Sequence, residues 1–169
     1  MGAAGRHRRR PLTTVSDTVT RSQEDTERLA ETLAGELRSG AVVLLSGPLG
    51  AGKTAFVRGL ARGLGVDPDE VSSPTFTLVH EYRGGRLRLF HADLYRLGTA
   101  AAEDLGLDEL GVLTGVLAIE WPDRLGRAFR GAIEIGIAVL DETSRQVSIS
   151  KPGAASREPT PSDSSALPS

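Results

Sequence analysis

The sequence contains no cysteine, so disulfide bonds, thiolate catalysis and thiolate metal sites are excluded. Long hydrophobic runs are missing too: the longest, residues 41–45, is far too short to cross a bilayer. We therefore expect no membrane segment. No apolar stretch follows the arginines near the N-terminus, as it would in a signal peptide, so the cytoplasm is the expected location.

Asparagine is also absent, and lysine is scarce. Only Lys53 and Lys151 are lysines among the 20 basic residues. The formal net charge of −2 provides no global basic field, so nucleic-acid binding is not the first expectation. In a chain that uses arginine almost everywhere, a lysine at position 53 indicates that this position requires lysine.

The chain is 169 residues long and shows no internal repeat, which predicts one domain. Residues 1–14 are basic and lack apolar periodicity, and residues 152–169 are rich in proline, serine and alanine. Both ends are predicted to be disordered tails around a domain at 15–151.

The first half of this domain has the order of elements that a phosphate-binding loop requires. Leucines recur at helical spacing after the candidate N-cap Ser22 and predict a helix that runs to Gly40. Residues 41–45 predict a buried parallel strand. A second helix is predicted behind Lys53, and it ends at Gly65.

The second half predicts more strands and short helices. The segments are a hairpin of 75–82 and 86–90, two helical pieces in 100–113, a buried strand at 116–119, and two last strands at 132–140 and 146–150. The expected fold is α/β, with a layered mixed sheet flanked by helices.

Between the first strand and the second helix lies the pattern G-x-x-x-x-G-K-T. Its residues are Gly47, Pro48, Leu49, Gly50, Ala51, Gly52, Lys53 and Thr54. Such a loop curls around phosphate oxygens, so that backbone N–H groups and a helix N-terminus face the anion. Lys53 is expected to reach the β and γ phosphates and the Thr54 hydroxyl to ligate Mg²⁺. The motif predicts binding of a nucleoside triphosphate with magnesium.

Hydrolysis needs an acidic group at a strand end as well. Glu120 directly follows the apolar run 116–119, and Asp93 follows a less regular one. The pattern favours Glu120, but both carboxylates are candidates.

Two further polar features are less specific. Thr75 follows Pro74 in a predicted loop, where it would either respond to the γ phosphate or simply begin a strand. His80 and His91 lie beside apolar positions, where a histidine is more often packed or hydrogen-bonded than catalytic. The sequence shows no cluster of histidines for a metal.

Four motifs occur in order: G-P-L-G-A-G-K-T, S-P-T-F at 73–76, H-A-D-L-Y-R at 91–96 and E-W-P at 120–122. On the basis of these four motifs, the chain resembles the TsaE family, formerly YjeE. The resemblance covers residues 17–150. The resemblance implies a P-loop NTPase fold and a Mg²⁺-dependent ATPase required for threonylcarbamoyladenosine (t6A) at position 37 of tRNAs that read codons beginning with A. It implies TsaB and TsaD as partners. TsaD performs the transfer, the ATPase supports turnover of the TsaB–TsaD complex, and tRNA is reached only through that complex.

The resemblance also implies roles for single residues. Thr75 would lie in a switch-like loop and Trp121 close to the nucleotide. Asp93 and Glu120 would serve the metal and the attacking water, and which carboxylate serves which remains open.

Three other functions are compatible with a P-loop. A small-molecule kinase would need an arginine-bearing lid, for which the only local cluster is Arg124, Arg127 and Arg130. A GTP-driven switch is nearly excluded, because the usual guanine-selecting motif Asn-Lys-x-Asp needs asparagine. In a third alternative, nucleotide binding gates docking to a partner and hydrolysis is incidental.

Overall fold

The computed structural model describes residues 14–72, 78–111 and 114–153. The strands are β1 (Thr14–Thr20), β2 (Val42–Ser46), β3 (Val79–Tyr82), β4 (Arg88–Asp93), β5 (Gly115–Glu120), β6 (Ile133–Val139) and β7 (Arg145–Lys151). The α-helices are α1 (Gln23–Ala34), α2 (Lys53–Leu64), α3 (Thr99–Glu103) and α4 (Leu107–Gly111).

All strands join one sheet in the order β1-β7-β6-β2-β5-β4-β3. The central strands β6, β2, β5 and β4 are parallel to one another, whereas β3, β7 and β1 pair antiparallel at the two sides. The predicted α/β fold with a mixed sheet is therefore confirmed. Because parallel strands end at the same edge, the ends of β2, β4 and β5 meet where the P-loop begins.

Two hydrophobic clusters cover the two faces of the central strands. Helices α1 and α2 pack on one face, where Phe56 and Leu60 share one buried cluster with inward residues such as Leu45 and Ala118. Helices α3 and α4 pack on the other face, against Leu117 and its neighbours. Alternate residues of β2 and β5 therefore enter opposite clusters, which explains their continuous apolar runs.

Helix α1 is shorter than the sequence predicts. Ser22 is the N-cap as expected, and its side chain accepts a hydrogen bond from Asp25 N, but the helix ends at Ala34 rather than running to Gly40. Arg86 Nη2 donates to the carbonyls of Ala34 and Leu37, at and just beyond the helix end, and Ala34 O also accepts a hydrogen bond from Leu37 N. Tertiary contacts thus replace the last predicted turns.

Strand β1 was not predicted. It begins at Thr14, a residue that the sequence placed in the basic tail, and all but its last residue are exposed. Residues 1–13 and 154–169 lie outside the described residues, so disorder of the tails stays a prediction. Thr75 and the S-P-T-F motif also lie outside them. No helix in the described ranges has both the length and the apolarity to cross a membrane.

Candidate nucleotide-binding site

The loop between β2 and α2 has a backbone that depends on glycine. Gly52, the N-cap of α2, adopts φ 110°, a left-handed conformation that favours glycine. Gly47 passes so close to β6 that a Cβ would lie 2.5 Å from Ile137 O. The motif's glycines therefore let the loop turn into the helix and lie against the neighbouring strand.

Arg145 ties this loop to the β6–β7 hairpin. Its Nε donates to Ala51 O at 3.0 Å, and its Nη1 donates to the carbonyls of Asp141 and Ser144 at 2.9 and 3.0 Å. No sequence pattern indicates this contact, because Arg145 lies 94 positions from Ala51 and belongs to no motif.

Lys53 lies at the start of α2 and is only 5% exposed. Its Nζ donates to Gly47 O at 2.6 Å and to Pro48 O at 2.9 Å. It also lies 4.2 Å from the centre of the Trp121 ring, within the range of a cation–π interaction. The loop's own carbonyls and an aromatic face thus hold the ammonium inside the P-loop.

Burial lowers the pKa of Lys53, and the negative charges of Glu120, Asp93 and Asp123 oppose this effect without cancelling it. The buried ammonium of Lys53 and these nearby carboxylates therefore attract each other strongly. Low exposure also reduces screening by salt.

Thr54 and Glu120 are in direct contact, although 66 positions separate them. The Thr54 hydroxyl lies 3.1 Å from Glu120 Oε1 and 3.3 Å from Oε2, so it donates to this carboxylate. Glu120 ends β5 and is only 3% exposed. The strand-end acid that the sequence favours therefore lies beside the P-loop threonine.

Asp93 occupies the matching position on the next strand. It is paired in register with Glu120, so the two predicted carboxylates stand side by side at the ends of β4 and β5. Asp93 Oδ1 accepts a hydrogen bond from Tyr95 N at 3.0 Å. The structure thus brings both candidates to the same edge.

His91 is fully buried and belongs to this group as well. Its Nε2 lies 2.7 Å from Glu120 Oε2. The sequence predicted a packed or hydrogen-bonded histidine, but it did not indicate which residue the ring contacts.

Trp121 has an unusual backbone. With φ 61° and ψ 53° it is the only non-glycine residue of positive φ within the described ranges. This conformation is unfavourable for a bulky side chain, and such residues persist where surrounding contacts hold them. Here Trp121 N donates to Leu45 O at 3.2 Å, while the ring packs on Tyr95 with ring centres 4.9 Å apart.

These groups border a cavity of about 270 Å³. Its lining includes Leu49, Gly50, Gly52, Lys53, Thr54, Asp93, Glu120 and Trp121. The described residues contain no group of three or more histidine or carboxylate side chains that could hold a metal by themselves. One hydroxyl and one or two carboxylates nevertheless fit Mg²⁺, which in such sites takes its remaining ligands from phosphate oxygens and water.

The comparisons with known proteins point to one family. Residues 20–147 match the family model for threonylcarbamoyl adenosine biosynthesis protein TsaE. The tRNA threonylcarbamoyladenosine biosynthesis protein TsaE of Treponema pallidum is 43% identical over 135 residues, which cover 78% of this chain and 97% of that protein. The protein of the same name from Aquifex aeolicus is 42% identical over 136 residues, or 80% and 96% of the two chains.

A solved structure is also similar. The crystal structure of Bacillus subtilus YdiB superposes with a TM-score of 0.67 at 32% identity and covers 84% of this chain and 88% of that one. The family model and relatives of nearly full coverage agree on one assignment. The chain belongs to the TsaE family.

Proposed function

We propose that this protein is a Mg²⁺-dependent ATPase that supports t6A formation at position 37 of tRNAs reading ANN codons, by acting on a TsaB–TsaD complex. The observation that carries the ATPase proposal is the convergence of Lys53, Thr54 and Glu120 at the P-loop. The role in t6A formation rests on family membership, because the relatives are named for threonylcarbamoyladenosine biosynthesis.

In this proposal the chain's own groups bind and orient the triphosphate. Backbone N–H groups of the loop and the start of α2 face the phosphates, and Lys53 moves from the carbonyls of Gly47 and Pro48 to the β and γ phosphate oxygens. Thr54 together with Glu120 or Asp93 would hold Mg²⁺. When bound, this ion neutralises charge on the β and γ phosphates.

The second carboxylate would orient the attacking water. Glu120 and Asp93 lie side by side at the strand ends, so one can face the metal while the other accepts a proton from water. Thr75 would add the switch-like contact to the γ phosphate that the family resemblance implies.

A second cavity, of about 320 Å³, shares Gly50 and Gly52 with the first and extends toward Arg21, Thr143 and Arg145. We propose that the nucleoside part of ATP lies there while the triphosphate crosses the P-loop. This cavity is large enough for one heterocyclic base, which is consistent with a nucleotide rather than free phosphate.

The test is hydrolysis of ATP by the purified protein, alone and with TsaB and TsaD, with Lys53→Ala as the control for contaminating ATPases. The proposal predicts release of inorganic phosphate that requires Mg²⁺ and rises when the partners are added. Phosphate that appears on a small metabolite instead would support a kinase, and absence of stimulation by the partners would contradict the proposed role on TsaB–TsaD.

A further inference from the structure

One buried side chain next to the proposed catalytic carboxylate has no role in the mechanism described so far. His91 lies on β4 with no exposed surface, and its Nε2 is 2.7 Å from Glu120 Oε2. Its other ring nitrogen, Nδ1, is buried without a hydrogen-bond partner among the described residues. Among the described residues, the Glu120 carboxylate is therefore the ring's single hydrogen-bond partner.

The register of the sheet explains this contact. His91 is paired with Ala118, and Asp93 is paired with Glu120, so His91 and Glu120 are diagonal neighbours on the same face of the β4–β5 pair. Side chains at this diagonal spacing are within reach of each other when one of them is long. The strand pairing thus places the His91 ring beside the Glu120 carboxylate, and Thr54 on α2 contacts the same carboxylate.

The hydrogen-bonding pattern fixes the ring's tautomer. A proton on Nδ1 would be a buried donor without an acceptor in the described part of the chain, whereas a proton on Nε2 points at a carboxylate oxygen. One proton, on Nε2, is enough to form the hydrogen bond with Glu120. Its Nε2–H donates to Glu120 Oε2, and Nδ1 keeps its lone pair.

We propose that His91 is a positioning residue that holds the Glu120 carboxylate in the orientation needed for ATP hydrolysis. Glu120 is held between two donors from different elements, the ring of His91 and the hydroxyl of Thr54. Once Thr54 binds a metal ion, His91 is the remaining donor that fixes the carboxylate. This inference rests on the proposed ATPase function.

The packing of the site supports a functional reason for this histidine. On its own face of the sheet, its neighbours Leu89 on β4 and Ala118, its register partner on β5, are buried and apolar. An apolar side chain at position 91 would leave no unpartnered nitrogen in the core, but it would take a donor from the buried Glu120 carboxylate, so the ring's benefit at this position is its contact with Glu120. Such local conflicts concentrate at functional sites.

The test compares His91→Gln with His91→Met. Both side chains are unbranched and of similar length, but only glutamine carries an N–H donor. His80→Met is the matched control, because His80 is the register partner of His91 on β3 and contacts Tyr82 instead of Glu120.

We expect His91→Met to fold, with a circular-dichroism spectrum like that of wild type, and to bind ATP with unchanged affinity. Its kcat should fall about 10–100-fold, the usual cost of removing a group that orients a ligand or catalytic carboxylate. His91→Gln should recover most of kcat, and His80→Met should keep it. A wild-type kcat in His91→Met, or an equal loss in both His91 variants, would overturn the proposal.

A second measurement does not depend on activity or on the folding of a variant. Long-range ¹H–¹⁵N spectra of the ¹⁵N-labelled wild-type protein report the tautomer of each of its three histidines. We expect the His91 ring to carry its proton on Nε2, and a proton on Nδ1 alone would overturn the proposal. If wild type hydrolyses no ATP, the proposed function fails, whereas this spectrum still tests the hydrogen bond to Glu120.

Discussion

The ammonium of Lys53 lies 4.2 Å from the centre of the Trp121 ring while it donates hydrogen bonds to the carbonyls of Gly47 and Pro48. One side chain thus connects the P-loop with the end of β5. Trp121 follows Glu120 directly and adopts a left-handed backbone conformation. The contact between Lys53 and Trp121 therefore connects the P-loop with the strand end that carries Glu120.

Because Trp121 is the only tryptophan, its fluorescence should report nucleotide binding. ATP is expected to draw Lys53 from the ring toward the phosphates, which changes the environment of the indole. We predict that titration with ATP changes the emission intensity or wavelength, and that Lys53→Ala shows no such change. ATP binding detected by calorimetry together with unaltered emission from the wild-type protein would contradict this movement.

Replacement of Lys53 by alanine should weaken ATP binding. The variant loses charged hydrogen bonds to phosphate, which are worth about 1.5–3 kcal/mol, or roughly a 10- to 150-fold change in Kd. Calorimetric titration measures this change, and circular dichroism verifies the fold. Lys151→Ala is the control, because Lys151 pairs with Glu36 and does not line the P-loop cavity. Equal affinities for the Lys53 variant and wild type would remove Lys53 from the phosphate site.

Glu120→Gln should leave ATP binding largely intact and remove hydrolysis. The amide keeps the size of the side chain but cannot accept a proton, and a general base commonly contributes about 10²–10⁴-fold to the rate. Glu134→Gln is a suitable control, since Glu134 is an exposed carboxylate on β6. Steady-state phosphate release measures the effect. If the Glu120 variant hydrolyses ATP normally, Asp93 becomes the leading candidate.

Glu27 should stabilise the protein at neutral pH and lose this effect at acid pH. Burial raises the pKa of this carboxyl, but hydrogen bonds from Gln23 and Arg58 and the charges of Arg58 and Arg62 outweigh burial and lower it. A carboxyl whose pKa is lower in the folded state stabilises the fold above its unfolded pKa, and this stabilisation is lost as the pH falls through the lowered value.

We therefore predict that Glu27→Gln lowers the free energy of unfolding by about 1 kcal/mol at neutral pH and that the difference from wild type shrinks as the medium becomes acidic. Urea unfolding at several pH values measures this trend. Glu31→Gln should change little, because Glu31 is half exposed and lies 3.8 Å from Arg62. A difference that grows toward acid pH would have the wrong sign for this explanation.

Local patterns predicted the P-loop, the central strands and the helix after Lys53, because these features depend on neighbours in sequence. Strand β1 escaped prediction because it is a polar edge strand, Thr-Val-Ser-Asp-Thr-Val-Thr, whose partner β7 lies more than a hundred residues away. Helix α1 ends early because Arg86, from a distant turn, binds the carbonyls near its end.

The residues of the site were predictable from the sequence, whereas most of their contacts were not. Residue types indicated Lys53, Thr54, Asp93 and Glu120. The contact of Glu120 with His91, however, arises from the register of β4 and β5, and its contact with Thr54 arises from the packing of α2 on the sheet. Arg145 was missed because an arginine on an antiparallel strand has no spacing that relates it to the P-loop. Thr75 lies outside the described residues, so its role stays a prediction.

The central claim joins the P-loop site to tRNA modification, and it is tested most directly by the t6A content of tRNA. Cells in which this protein is depleted would be complemented with the wild-type chain or with Lys53→Ala, and nucleosides of the purified tRNA would be measured by mass spectrometry. We predict that t6A falls on depletion, returns with the wild-type chain and stays low with Lys53→Ala. Unchanged t6A after depletion, or full recovery with Lys53→Ala, would contradict the account.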